Sequence, residues 1–142
     1  MAPSPSDDPT AGSPDSRLSV LIVDDDPEIR LLLENLLDLE GFHVAGQAAD
    51  GYAAVYKALE LQPDIIVLDY MMPRIDGAES AKFLRAVTPY SMIIAFSGIV
   101  HEKPEWADDF ISKAGIDGLA DMARYLTRNK GAGTQQDRIV TV

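Results

Sequence analysis

Residues 63–77 read PDIIVLDYMMPRIDG, a short apolar run followed by a carboxylate and then by a proline. The run from Ile65 to Leu68 is typical of a strand that is covered on both faces in a parallel sheet. It ends at Asp69. Ligand and reaction sites of open α/β sheets lie just outside the carboxyl ends of strands. Asp69 is therefore a candidate nucleophile for phosphoryl transfer, although this stretch alone is equally compatible with an aspartate that merely begins a turn.

Apolar segments like this one recur along the chain and alternate with segments of helical periodicity. Asp26 is a suitable N-cap for the first helix, Pro27 suits its first position, and Gly41 suits its end. This alternation predicts a parallel sheet with helices on both faces and right-handed crossovers. No complete amphipathic helix is evident between the fourth and fifth strands. The predicted strands are 18–23, 42–48, 65–68, 91–96 and 110–112, and the predicted helices are 27–40, 51–61, 78–87 and 116–129.

Polar side chains follow four of the predicted strands directly. Helix capping explains Asp26 but not three aspartates in succession, and a bound cation is the simplest compensation for adjacent carboxylates. Phosphoryl transfer consists mainly of positioning and charge neutralisation. The set provides a nucleophile, oxygen ligands for Mg²⁺, and a hydroxyl and an ammonium group for phosphoryl oxygens. These strand-end residues are Asp24, Asp25, Asp69, Ser97 and Lys113.

The bulk composition limits the classes of function. The 142 residues suggest one domain, at residues 17–129, between a disordered tail at 1–16 and a flexible tail at 130–142. The net charge of −11 argues against binding of nucleic acid or an anionic membrane by this chain. The lack of cysteine fits a reducing compartment, and we find no signal peptide or membrane-spanning run. We therefore expect a cytoplasmic protein that does not engage membranes.

Three motifs together resemble the receiver domain of two-component response regulators, over about Leu18 to Asn129. The motifs are LIVDDDPEIR at 21–30, AADGYAA at 48–54, and the stretch 63–77 quoted above. The resemblance implies a flavodoxin-like fold: a doubly wound, five-stranded parallel sheet with the strand order 2-1-3-4-5. It also implies a phosphoacceptor signalling domain whose only catalysis is its own phosphorylation and dephosphorylation.

The resemblance assigns roles to individual residues. Asp69 would accept a phosphoryl group from a sensor histidine kinase or a phosphotransfer protein. Mg²⁺ would be bound by Asp25, Asp69 and the backbone carbonyl of Met71, with Asp24 acting directly or through water. Ser97 and Lys113 would hold phosphoryl oxygens, and Ser97 with Phe110 would form the switch. An output protein is implied without being identified, and a homodimer is compatible with the family.

The sequence departs from the family at three places. Ala114 follows Lys113 where the family usually has proline, so the loop after the lysine could be arranged differently. The segment from Ser97 to Lys113 is several residues shorter than usual, so the fourth helix should be one or two turns or absent. Met71 and Ile99 are apolar at positions that influence the hydrolytic water in the family, which predicts slow autodephosphorylation.

Two alternative functions follow from the same residues. A degenerate receiver could serve as a phosphorylation-independent protein-binding scaffold, which the shortened segment favours and the complete set of strand-end residues opposes. A hydrolase that forms an aspartyl-phosphate would generally carry Asp-x-Asp-x-Thr after its first strand, whereas this chain has DDDPE at 24–28.

Overall fold

The computed structural model describes residues 17–98 and 102–129. The tails predicted at 1–16 and 130–142 and the apolar residue Ile99 lie outside the described residues. Within the described part of the chain, no helix is long and apolar enough to cross a membrane.

The sheet has five parallel strands in the order β2-β1-β3-β4-β5. β3 lies at its centre and is buried along its whole length, as expected of a strand that is covered on both faces. This topology confirms the predicted flavodoxin-like fold. The strands are β1 (Ser19–Val23), β2 (His43–Ala48), β3 (Ile65–Asp69), β4 (Met92–Ser97) and β5 (Asp109–Ser112).

Each of the first three helices begins at an aspartate that caps it. The side chains of Asp26, Asp50 and Asp76 accept hydrogen bonds from backbone amides in the first turns that follow them. Gly41 has a φ of +89° just beyond the end of the first helix, as a residue that terminates a helix requires. The helices are α1 (Pro27–Leu39), α2 (Gly51–Leu61), α3 (Gly77–Val87) and α4 (residues 119–129).

The helices cover both faces of the sheet, as predicted. Alternate strand residues point to opposite faces, so Ile22 and Val67 belong to one apolar cluster while Leu21 and Leu68 belong to the other. The first cluster is completed by α1 and α4, and the second by α2 and α3. The core therefore holds the strands rigidly and aligns their carboxyl ends at one edge.

The structure departs from the sequence pattern at three places. The last helix was predicted at residues 116–129, but a 3₁₀ segment (Lys113–Gly118) precedes α4, which begins at residue 119. Leu32 and Leu59 are apolar residues of predicted helices, yet they are 50% and 57% exposed. Helical periodicity specifies an apolar stripe but not how much of its width the sheet covers.

The connection between β4 and β5 contains no helix in its described part, residues 102–108, which form turns and bends. This agrees with the expected loss or shortening of the fourth helix. Asp108 anchors the segment to β4, because its amide donates to the Ile93 carbonyl at 2.8 Å and its carboxylate accepts from the Ile93 amide at 2.7 Å.

Candidate functional site

Asp69 lies at the carboxyl end of the central strand β3 and is only 3% exposed. Its neighbour across the sheet is Phe96 of β4. The amide of Met71 donates to Asp69 Oδ1 at 3.3 Å. The loop that follows β3 thus folds back over the carboxylate and limits the directions from which a ligand can approach it.

Asp24 directly follows β1, is fully buried, and is held at both its backbone and its side chain. Its amide donates to the carbonyl of Ala48 in β2 at 3.1 Å, and its carbonyl accepts from Arg30 Nη1 at 2.6 Å. Oδ1 accepts from the amide of Asp26 at 2.9 Å. These contacts leave Oδ2 to face the site.

The carboxylates of Asp24, Asp25 and Asp69 form one cluster. Each offers an oxygen, and the three oxygens lie within 4.8 Å of one another. Among the described residues, Asp24 Oδ2 finds no hydrogen-bond donor of acceptable geometry although it is buried. Three hard oxygen ligands, one of them on the exposed Asp25, suit a Mg²⁺ ion that keeps some of its waters.

Lys113 is brought to this cluster by β5, which ends one residue before it. Its Nζ lies 3.1 Å from Asp24 Oδ2 and 3.7 Å from Asp69 Oδ1. The ammonium group also lies 5.4 Å from the centre of the Phe96 ring, a distance at which cation–π attraction contributes. One positive charge faces three carboxylates, so the site retains an excess of negative charge that a divalent cation would neutralise.

The pKa of Asp69 is raised from 3.8 to about 7. Burial is the main cause, and the negative charge of Asp24 is the next; the charge of Lys113 and the Met71 amide act in the opposite direction. Burial also lowers the pKa of Lys113, but the close contact with Asp24 and the nearby charge of Asp69 outweigh it, so the net shift is upward. Lys113 therefore remains charged, whereas Asp69 needs further positive charge to be fully ionised at neutral pH.

The two predicted switch residues lie on neighbouring strands. Ser97 ends β4, one position beyond Phe96, and is 2% exposed. Phe110 lies on β5 opposite Ala95 and packs, partly buried, against the core cluster on the side of α2 and α3. Register thus puts Ser97 at the same edge as Asp69, while Phe110 lies further down the sheet.

Sequence reasoning missed three residues that support the site. Arg30 holds the carbonyl of Asp24, and Gly77 and Trp106 lie against the loop that follows Asp69. The sequence carries a signal for Gly77 alone, as the glycine after the Asp76 cap. Arg30 lies only six residues after Asp24, but nothing in the motif at 21–30 indicates their contact. Trp106 is far in sequence from the loop after Asp69, so no local pattern reveals it.

The loop after Lys113 begins with Ala114, where the family usually has proline. The Ala114 amide donates to Ser112 Oγ at 3.1 Å and opens the 3₁₀ segment directly at the lysine. Proline has no amide hydrogen and could not make this bond. No cis peptide bond occurs among the described residues, and Lys113 reaches the acidic cluster with a trans bond before Ala114.

Comparison with known proteins finds matches over most of the described residues. The family described as "response regulator receiver domain" matches residues 20–121. The chain is 36% identical over 100 residues to the chemotaxis protein CheY of Thermotoga maritima, covering 66% of this chain and 83% of that protein.

Two further matches extend this result. The DNA-binding dual master transcriptional regulator RpaA of Synechocystis is 35% identical over 129 residues, which cover 84% of this chain but only 51% of that regulator. The structure of chemotaxis protein CheY4 of Vibrio cholerae superposes with a TM-score of 0.69 at 26% identity, covering 78% of this chain and 98% of that one.

Proposed function

Because this chain belongs to the response regulator receiver domain family of two-component signalling, we propose that it accepts a phosphoryl group on Asp69 in a Mg²⁺-dependent reaction. The observation that carries the proposal is the convergence of Asp24, Asp25, Asp69 and Lys113 at the end of the buried sheet. We propose residues 17–129 as the receiver unit.

The chemistry is a transfer between two nucleophiles. An oxygen of Asp69 forms a bond to phosphorus as the bond between phosphorus and a phosphohistidine nitrogen of the donor breaks, and the electron pair of that bond returns to the imidazole. The product is an acyl phosphate on Asp69. The carboxylate must be ionised to attack, and its pKa of about 7 means that positive charge in the site controls the reactive fraction.

Mg²⁺ would be held by Asp24, Asp25 and Asp69, together with the carbonyl of Met71, and would neutralise charge on the phosphoryl oxygens. Lys113 attracts one of those oxygens and favours the ionised form of Asp69. Ser97 would donate its hydroxyl to another oxygen and change position with Phe110 to report the phosphorylated state. The proposed reaction modifies Asp69 of the chain itself. The chain is therefore proposed to be a signalling domain rather than an enzyme that acts on other molecules.

The proposed partners are a sensor histidine kinase or phosphotransfer protein, an output protein, and a second copy of the chain. RpaA is named as DNA-binding, but this chain spans about half of that protein. The net charge of −11 favours a protein partner over nucleic acid or an anionic membrane, and we propose a cytoplasmic location.

The test is intact-mass spectrometry after incubation with acetyl phosphate, with and without Mg²⁺, beside the Asp69→Asn variant. We expect one phosphoryl adduct that requires Mg²⁺ and is absent from the variant. The adduct should persist well beyond minutes because Met71 and Ile99 are apolar, and Met71→Asn should shorten its lifetime. Decay of the wild-type adduct within minutes would contradict the slow hydrolysis.

Failure of the folded wild type to form an adduct, both with acetyl phosphate and with a phosphorylated histidine phosphotransfer protein, would contradict the proposal. It would favour the alternative of a phosphorylation-independent scaffold. The absence of a helix at residues 102–108 is the observation that keeps this alternative in view, because that segment would carry a large part of a receiver's binding face.

A further inference from the structure

We propose that Trp106 is a positioning residue for the phosphorylation site. It lies in the segment that stands where a fourth helix is expected, and it holds the loop after Asp69 in the arrangement that binds Mg²⁺. This inference rests on the proposed function, and it assigns to the β4–β5 connection a role in the site itself.

The indole of Trp106 contacts both ends of that loop. Its ring centre lies 5.8 Å from that of Tyr70, the residue after Asp69, with an angle of 35° between the planes. At the other end, a Cβ added to Gly77 would lie 2.9 Å from Trp106 Cζ2 and 3.0 Å from the backbone oxygen of Asp69. Real Cβ atoms do not approach this closely, so the glycine lets the indole pack directly against the backbone next to the acceptor.

The loop ends are also bonded to each other and to the sheet. The Gly77 amide donates to the Tyr70 carbonyl at 3.1 Å, and the Tyr70 amide donates to the Phe96 carbonyl at 3.0 Å. Met71, which donates to Asp69 and is the proposed carbonyl ligand of Mg²⁺, lies directly after Tyr70. A shift of Tyr70 would therefore move a metal ligand and a hydrogen bond to the acceptor together.

The backbone of Trp106 is anchored independently of the loop. Arg85 of α3 donates from Nη2 to the Trp106 carbonyl at 3.0 Å and pairs with Asp108 at 3.1 Å. Asp108 in turn bonds to Ile93 of β4 through both its amide and its carboxylate. The indole thus projects from a fixed support, which is what a residue needs in order to position another group.

The contacts of Trp106 with Tyr70 and Gly77 require a large aromatic side chain at this position. Trp106 is partly buried against the core cluster on the side of α2 and α3, and a small residue there would leave both Tyr70 and Gly77 without their neighbour. Residues that support metal ligands from outside the coordination shell typically change metal affinity by about 10- to 100-fold when they are replaced.

The test compares Mg²⁺ affinity, measured by isothermal titration calorimetry, in the wild type, Trp106→Ala and Trp106→Phe. Tyr125→Ala, which removes a 56% exposed ring on α4, is the control. We expect Trp106→Ala to bind Mg²⁺ about 10-fold more weakly and to be phosphorylated more slowly by acetyl phosphate at limiting Mg²⁺. Trp106→Phe should recover most of the affinity, and the control should match the wild type. Unchanged Mg²⁺ affinity in a folded Trp106→Ala protein would overturn the inference.

A second measurement needs no substitution, because Trp106 is the only tryptophan of the chain. If the indole and the metal site support each other, Mg²⁺ must reciprocally tighten the packing of the indole. Acrylamide should therefore quench the wild-type fluorescence less when Mg²⁺ is bound, and unchanged quenching at saturating Mg²⁺ would count against the inference.

The two proposals fail in different ways. A wild type that binds no Mg²⁺ and accepts no phosphoryl group contradicts the proposed function and, with it, this inference. A wild type that does both, beside a Trp106→Ala protein that does both equally well, contradicts this inference alone.

Discussion

At the scale of single residues, two features of Asp69 disfavour its ionised form in the absence of metal. It is buried at the end of β3, and it adjoins the buried carboxylate of Asp24. Both raise its pKa, to about 7. The residue proposed to accept the phosphoryl group should therefore also make the fold less stable at neutral pH.

The sign of this effect follows from proton binding. Between about pH 4 and pH 7 the folded chain holds a proton on Asp69 that the unfolded chain has lost, so the free energy of unfolding falls as the pH rises. Asp69→Asn removes the charge. We expect this variant, without Mg²⁺, to be more stable than the wild type at pH 8 by about 1–3 kcal/mol and nearly equal to it at pH 5.

Urea denaturation of the two proteins at both pH values measures this difference. Asp121→Asn is the matched control, because the Asp121 side chain is 91% exposed and its pair with Arg124 is a surface contact that contributes little to stability. A less stable Asp69→Asn protein at pH 8, or a difference that does not change with pH, would show that the burial of Asp69 carries no such cost.

At the scale of secondary-structure elements, the contact between α2 and α3 depends on a glycine. A Cβ on Gly51 would lie 2.0 Å from Ser80 Oγ and 2.7 Å from Ile75 Cγ2. Ser80 and Ile75 are both buried, so they have little room to move. The start of α2 is thus packed directly against α3 and the loop before it.

We expect Gly51→Ala to lower the free energy of unfolding by about 1–3 kcal/mol because of this overpacking, despite the better helix propensity of alanine. Gly115→Ala is the control, since nothing lies within 4 Å of a Cβ there and its φ is −104°. Thermal denaturation followed by circular dichroism compares the two. Equal melting temperatures for both variants would refute the tight contact.

At the scale of the whole molecule, the acidic site links metal binding to stability. Folding gathers Asp24, Asp25 and Asp69 from separate parts of the chain, so the unfolded chain lacks the site. A ligand that binds only the folded state stabilises it by about 2.7 kcal/mol at 100 times its dissociation constant. Relief of carboxylate repulsion contributes to the Mg²⁺ affinity itself, so it is already included in this gain.

We expect the melting temperature of the wild type to rise with Mg²⁺ concentration at constant ionic strength, and that of Asp25→Asn to rise much less. Glu60→Gln, which removes an exposed carboxylate on α2, should respond like the wild type. Differential scanning fluorimetry with NaCl at matched ionic strength separates binding from screening. A response shared equally by all three proteins would indicate a general salt effect and no site.

The strand-end residues could be predicted from the amino-acid pattern, because each of these predictions rests on the residues next to it in the sequence. Asp69 follows a run of apolar residues, Asp24 follows another, and parallel topology brings such ends to one edge. The absence of a helix at residues 102–108 could likewise be predicted from the length and composition of the segment between Ser97 and Lys113. These are local features, and secondary structure follows from local features. The strand order was implied by the resemblance to the receiver family.

Packing in three dimensions settled the rest. Two contacts join residues that are far apart along the chain: Lys113 pairs with Asp24, and Trp106 packs against Tyr70. The exposure of Leu32 likewise depends on which distant elements cover its helix. Periodicity indicates which residues are apolar, but it contains no information about which distant backbone will lie beside them. That depends on how the helices and the β4–β5 connection fill the space over the sheet, and the shape of the proposed phosphorylation site is set at that level.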